Sequence, residues 1–354
     1  MKTITTLLLL NTLLYSAESI QEAFEGLSHD GEIRLGAVKT EDASNNTKKT
    51  VALGGNLGFE TAPFYGLSVG ARFYTTNALF SKKEEPMFLS SDAKSYSILG
   101  EAYVKAEFSD TALTIGRQVL ETPYANSDDV GMIQNSFEAY SLLNRSIPDT
   151  LVHLAILNKW SGVAGVDSEV HDEFKELQSS EKAVLMAGVI YEGIKNTTLQ
   201  AWHYKFDTLA YNYAEMGYED ERYALAVQYT DQDNSNRAFG LMASGNLGAF
   251  TFSTAYNKVE GRVNNGFGGG PFFTSAEDHT IEIDELNQEG VLGSLSYSND
   301  ALTLGVTHAH FVVGADDTDY LVAYDFSEKQ NIEFIYSDLH EDGTLVRLFA
   351  KYNF

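Results

Sequence analysis

The chain has 354 residues, enough for two or three soluble domains or for one large barrel. Its 24 Lys and Arg stand against 50 Asp and Glu, a formal net charge of −26, which excludes a duplex-binding protein in need of a basic footprint. The lack of cysteine removes disulfide scaffolds, zinc knuckles and thiol nucleophiles, and 20 Tyr, 21 Phe and 29 Gly against 5 Pro favour sheet over helix.

At the N-terminus Lys2 precedes an apolar stretch from Ile4 to Leu14, followed by Ser16, Ala17 and Ser19. These are the charged region, apolar core and small-residue cleavage zone of a secretory signal peptide. We assign residues 1–17 to the leader and 18–354 to one barrel domain. Cleavage after Ser16 or Ser19 also fits the small-residue pattern. Beyond this segment no apolar run reaches the roughly 18 residues of a membrane helix.

From residue 29 onward the chain alternates with period two. Strands are predicted near 29–38, 50–61, 66–77, 96–109, 111–118, 136–146, 149–160, 183–193 and 196–206. They continue at 209–217, 221–231, 236–247, 249–260, 288–299, 301–311, 318–327, 329–338 and 344–354. That is about eighteen strands, with sixteen as the alternative. Ile33, Leu35 and Ala37 oppose Glu32, Arg34 and Gly36, and Leu67, Val69, Ala71 and Phe73 oppose Ser68, Gly70, Arg72 and Tyr74. Ile98, Gly100, Ala102, Val104, Ala106 and Phe108 oppose Glu101, Tyr103, Lys105 and Glu107. In the last strand Val346, Leu348, Ala350, Tyr352 and Phe354 oppose Arg347, Lys351 and Asn353. In a strand such sets point to opposite sides.

A soluble sandwich alternates as well. Three features separate a membrane barrel from it. Aromatic residues sit at the ends of the apolar faces, as Tyr320, Phe326, Tyr352 and Phe354 do, in the manner of interfacial girdles. Arg and Lys recur in the middle of the opposite faces, where a wet lumen accepts them and a dry core does not. Every second connection is short and built from Pro, Gly, Asn or Asp, while the other set includes 39–49, 78–95, 119–135, 161–182 and 261–287. Short turns on one rim and longer loops on the other define a transmembrane antiparallel up-and-down β-barrel, with both termini on the short-turn, periplasmic side.

The stretch Gly116-Arg-Gln-Val-Leu-Glu-Thr-Pro-Tyr-Ala-Asn-Ser-Asp-Asp-Val-Gly-Met-Ile-Gln-Asn-Ser-Phe-Glu-Ala-Tyr140 resembles the OprD-type porin family of Gram-negative bacteria around its constriction loop. Gly31 to Gly36, Leu199 to Tyr204 and the terminal Phe354 are similar to the family as well. The resemblance is specific in 116–140 and loose over the rest of the mature chain. It implies a passive outer-membrane channel for small solutes, with a preference for carboxylate-bearing nutrients. It also implies basic wall residues facing acidic residues on an infolded third external loop. The loop residues that carry over are Pro123, Tyr124, Ser127, Asp128 and Asp129. Strand register proposes Arg34, Arg72, Lys105, Arg347 and Lys351 as pore-lining cations. Arg117 belongs to the matched stretch, although strict alternation puts it on the face of Leu113 and Ile115. Few cations remain for a basic ladder, which speaks against strong anion preference.

The physical expectation is a closed wall, since an open sheet edge in hydrocarbon leaves backbone groups unpaired. Eighteen strands enclose water, so selectivity needs a constriction. Carboxylates on the loop facing wall cations create a transverse field that aligns dipolar solutes. Acidic runs at 167–181 and 277–289 and at Asp316, Asp317 and Asp319 have three readings: solvated rim, cation focusing at the mouth, or divalent-ion binding. His308 and His310 share a strand face and read as a polar pair in the lumen. Gly266 to Gly270 reads as a flexible loop tip. No catalytic constellation, metal site or cofactor motif is legible, so the chain is read as a porin and not an enzyme. An adhesin or structural surface barrel is the alternative, and a barrel hydrolase a further one. The implied partners are small hydrophilic solutes, outer-membrane lipid and lipopolysaccharide, and the barrel-assembly machinery through the C-terminal strand. A homotrimer is compatible with the sequence, but nothing in it separates a lipid-facing from a subunit-facing strand.

Overall fold

The computed structural model describes residues 16–80, 85–128, 131–164, 169–233, 235–281 and 285–354. The proposed leader lies almost wholly outside these residues, and Asp129 does too. A short helix α1 (Ile20–Glu25) leads into β1 (Ser28–Asp42), β2 (Thr47–Glu60), β3 (Leu67–Ala78), β4 (Tyr96–Phe108), β5 (Thr111–Gln118) and β6 (Ser136–Asn144). Then follow β7 (Thr150–Ala164), β8 (Glu169–Glu176), β9 (Val184–Ile194), β10 (Thr197–Lys205), β11 (Ala210–Glu219), β12 (Tyr223–Gln232) and β13 (Asn236–Leu247). The chain ends with β14 (Phe250–Glu260), β15 (Glu289–Ser298), β16 (Leu302–Phe311), β17 (Asp317–Ser327), β18 (Gln330–Asp338) and β19 (Gly343–Asn353).

Each strand pairs antiparallel with its sequence neighbour, and β1 pairs with β19 from Glu32↔Asn353 to Asp42↔Gly343. The wall therefore closes and has no edge, as hydrocarbon requires. β7 pairs with β9 over Thr150–Leu157 and with β8 only beyond Lys159. Eighteen strands thus make the wall, and β8 is an extra strand inside the loop expected at 161–182.

Burial follows the alternation. In β1, Arg34, Gly36 and Val38 face the interior while Ile33 and Leu35 face outward. The outer surface carries an apolar band that includes Leu57, Phe59, Val69, Phe73, Val104, Leu225 and Val322, the surface a lipid chain covers at no polar cost. Short turns place residues in the left-handed region, among them Ser109 (φ 51°), Asn196 (φ 60°) and Gly248 (φ 61°), as tight reversals require. A bulge where Arg72 opposes Glu101 and Phe73 opposes Leu99 shifts β4 by one residue. Ile98 is therefore buried inside and Leu99 faces out, which corrects the unbroken alternation expected for 98–108.

The packed core lies inside the barrel, where three loops fold in. Phe88 and Leu89, from the connection after β3, pack with Met132, Ile133, Tyr74 and Phe349. Tyr124 and Ala125, from the connection after β5, pack with Phe137, Trp160, Trp202, Tyr204, Tyr211 and Tyr213. Val263, Phe272 and Ile281, from the connection after β14, pack with Ala255, Val259, Ala309 and Phe311. Only the second of these was expected to fold inward.

Candidate functional site

The loop over 119–135 leaves the wall at Gln118 and crosses the lumen. Thr122 and Ala125 close a tight turn, with the Thr122 hydroxyl donating to the Ala125 carbonyl at 2.8 Å. This turn points Tyr124 into the far wall. Its hydroxyl lies 2.6 Å from the Thr230 hydroxyl and accepts from Gln232 Nε2 at 3.1 Å. Its ring meets Tyr204 and Tyr213 edge-on and Tyr211 at a tilt. Burial raises the Tyr124 phenol well above its ordinary value, so it stays neutral and acts as an anchor.

The return leg of the loop reaches the opposite wall. Arg34 Nη1 donates to the Gly131 carbonyl at 2.9 Å, and Gly36 leaves room for the Met132 sulfur beside Phe88. The loop is thus pinned at β10–β12 and at β1. Between these pins lie Ser127, which donates to Glu121, and Asp128, whose backbone carbonyl accepts from Asn135. Pro123 sits half-buried in the turn before Tyr124. The expected loop residues are gathered in one crossing segment, save Asp129, which is outside the described residues.

The connection after β14 fastens the same loop from the other side. Phe267 N–H donates to the Tyr124 carbonyl at 2.8 Å, and Asn126 N–H to the Phe267 carbonyl at 3.1 Å. Gly266 has φ 77°, and a Cβ there would lie 2.4 Å from the Tyr124 carbonyl oxygen. Gly268 has φ 113° and is just as tight against Asn126. The glycine run 266–270 is therefore a close-packed contact and not a free tip. Its signal in the sequence was the density of glycine, which marks close backbone approach as readily as flexibility.

The wall cations sit in separate ion pairs. Arg34 is 7% exposed and holds Glu32, with Nε 2.7 Å from Oε1. Arg72 donates to Glu101 at 2.9 Å and to Asn56 at 2.6 Å, and pairs with Asp30 at 2.7 Å. Lys105 lies 2.6 Å from Glu60 and 3.6 Å from Glu107. Arg347, 3% exposed, donates to Glu277 of the third infolded loop at 2.8 Å. Lys351 lies 4.0 Å from Glu333. Those five side chains lie on the inner side of the wall.

Arg117 does not join them. It pairs in register with Ala102 and Glu138, on the outward face of Ile115 and Tyr140, and its guanidinium lies 4.3 Å over the Phe174 ring. The alternation argument held and the motif argument misplaced it. His308 and His310 also face outward, bonded to Thr318 and Asp316 at 2.9 and 2.8 Å, which corrects the lumen reading.

Part of the acidic loop is folded in. Asp317 is fully buried and accepts the backbone N–H groups of Asp278 and His279, while Asp319 accepts that of Glu277 and the Ser337 hydroxyl. Among the described residues no group of three or more His, Asp and Glu is arranged to hold a metal ion.

A closed wall of eighteen strands, an outer apolar band and loops pinned across a polar lumen define an outer-membrane porin. A family model described as outer membrane porin, OprD family, matches residues 88–306, so the chain belongs to the OprD family and is a bacterial outer-membrane channel, not an enzyme. Similar solved structures include Pseudomonas aeruginosa OpdK with vanillate, at TM-score 0.79 and 16% identity over 94% of this chain and 99% of that one. P. aeruginosa OccK8 (OprE) gives 0.78 and 13% over 94% and 99%, and Acinetobacter baumannii OccAB4 gives 0.77 and 14% over 93% and 98%. No curated protein sequence matches the chain.

Proposed function

We propose that the chain is a passive channel for small hydrophilic solutes, and that its narrow region favours solutes bearing positive charge, amino-acid zwitterions among them. The supporting observation is that all five lumen cations have carboxylate partners: Glu32, Asp30 with Glu101, Glu60 with Glu107, Glu277 and Glu333. A paired charge is largely cancelled a few ångströms away, and salt screens the remainder within about 8 Å. Two further carboxylates, Glu215 and Asp319, face the interior with no Lys, Arg or His paired to them among the described residues. The local field is therefore weighted towards attracting cations, and charged rings in a pore select by that sign.

The test is single-channel conductance in a planar bilayer with a salt gradient. Ohmic steps with a reversal potential of cation-selective sign are expected. An anion-selective sign would overturn the solute preference, and absence of conductance from correctly folded barrel would overturn the channel. A second reading, carboxylate-bearing nutrients, is favoured by the structure of OpdK with vanillate. It predicts that benzoate-type carboxylates reduce the current and that ammonium-bearing solutes do not. In either reading the C-terminal strand ending in Phe354 is the proposed signal for the barrel-assembly machinery.

A further inference from the structure

From Ser16 onward the segment before β1 is placed on the short-turn rim, and a leader ending at Ala17 leaves α1 and its Ser19 cap on the mature chain. Ser19 caps α1 by accepting the Glu22 N–H at 3.1 Å, and the Glu18 N–H reaches back to Glu22 Oε2 at 2.9 Å. α1 is docked on the turn between β2 and β3. In the chain from residue 18 on, Ala62 N–H donates to the Ala23 carbonyl at 3.0 Å. Ala23 is buried there.

At about 100° of turn per residue, Ala23, Ile20 and Phe24 share one side of α1, and Gln21, Glu22 and Glu25 the other. Only the Ala23 edge of the apolar side is covered by protein. Ile20 is 64% exposed and Phe24 59%, and Tyr65 on the same docked turn is 74% exposed. The adjoining strand ends carry Phe59, Leu67 and Phe108, all outward-facing and exposed. They belong to the lower girdle of the lipid-facing band, so the exposed side of α1 continues a surface that lipid already covers.

We propose that α1 and the 61–66 turn form an interfacial foot, seated in the inner leaflet of the outer membrane at the boundary of headgroups and acyl chains. Amphipathic helices lie in that plane with the apolar side down. The acidic side, Glu18, Glu22 and Glu25, turns to the water beyond the headgroups. The foot ties the first hairpin of the barrel to the bilayer at a second depth, below the strands themselves.

The chain has no cysteine, so single cysteines report cleanly. Phe24→Cys and Ile20→Cys would each carry a nitrobenzoxadiazole label. The full-length mature barrel would be reconstituted into phosphatidylethanolamine and phosphatidylglycerol vesicles containing a shallow nitroxide lipid. Phe108→Cys is the reference for lipid contact, and Glu25→Cys and Lys195→Cys are references for water. Heat-modifiability of each labelled protein verifies folding. Quenching at positions 24 and 20 should match position 108 and exceed positions 25 and 195 severalfold, with aqueous iodide showing the reverse order. Nitroxide quenching no stronger than at Lys195, with free access for iodide, would overturn the proposal. Protection from both quenchers would also overturn it, since the apolar side would then be covered by protein. Neither readout depends on conductance, so this proposal and the channel reading fail separately.

Discussion

Tyr124 shows how one side chain sets a pore. It carries an aromatic ring into a cluster of tyrosines and a hydroxyl onto Thr230 and Gln232, 106 and 108 residues away in sequence. Tyr124→Phe removes the hydroxyl and leaves buried partners, a loss of about 1–3 kcal/mol. Tyr124→Ala adds a cavity, with a loss of about 3–5 kcal/mol. Denaturant midpoints of the folded barrel should fall in that order, and the alanine channel should conduct more and fluctuate more. Among the wall cations, Arg72→Gln leaves Asp30 and Glu101 without their common partner. The reversal potential should move further in the cation-selective direction, and Glu101→Gln should move it back. A different chemistry holds the rim. Backbone N–H groups of Arg222 and Tyr223 keep the Asp220 carboxyl below its ordinary value. A carboxyl lowered in this way stabilises its turn above the ordinary value and stops doing so as pH falls through the lowered one. The Arg222 and Tyr223 amide resonances should therefore titrate below pH 3.8, and Asp220→Asn should abolish the titration.

At the level of elements, strands were legible and loops were not. A strand in a barrel wall meets lipid on one side and water on the other, so its pattern is written in its own residues, as in β1 and β19. The infolded loops obey no such rule. Phe88, Phe267 and Phe272 sit in stretches without periodicity, and what buries them comes from distant segments. The loop over 119–135 was placed only through its resemblance to a family. Arg117 shows the cost of that route: the resemblance drew it into the pore, while plain alternation already had it facing out. α1 escaped notice because its residues follow a leader and six positions are too few for a helical period. The contact between the glycine run and Tyr124 gives a sharp expectation. Gly266→Ala puts a Cβ 2.4 Å from the Tyr124 carbonyl at a backbone angle alanine resists, so the two loops must part. Single-channel records should then show an added higher-conductance state that the parent lacks.

For the molecule as a whole, the fold was readable because closure is the consequence of one solvent rule, and even strand number and unequal rims are the pattern of outer-membrane barrels. The lumen was less readable because its charges cancel in pairs across strands, such as Arg72 with Asp30, that sequence distance conceals. The seam between β1 and β19 shows what closure means. Gly31 and Phe354 exchange two backbone hydrogen bonds, at 3.2 and 3.0 Å, in the same way as residues within any interior strand pair. Deleting Phe354 should therefore weaken only one end of the seam, seen as a lower heat-modification temperature with conductance retained. The start of β1 and the end of β19 also lie side by side on one rim. Sealing them with a short linker and opening the polypeptide in the outer connection at 312–316 would yield a circular permutant with the same wall. Where the ribosome begins this protein is then a matter of export and insertion order, and the ring itself has no first strand.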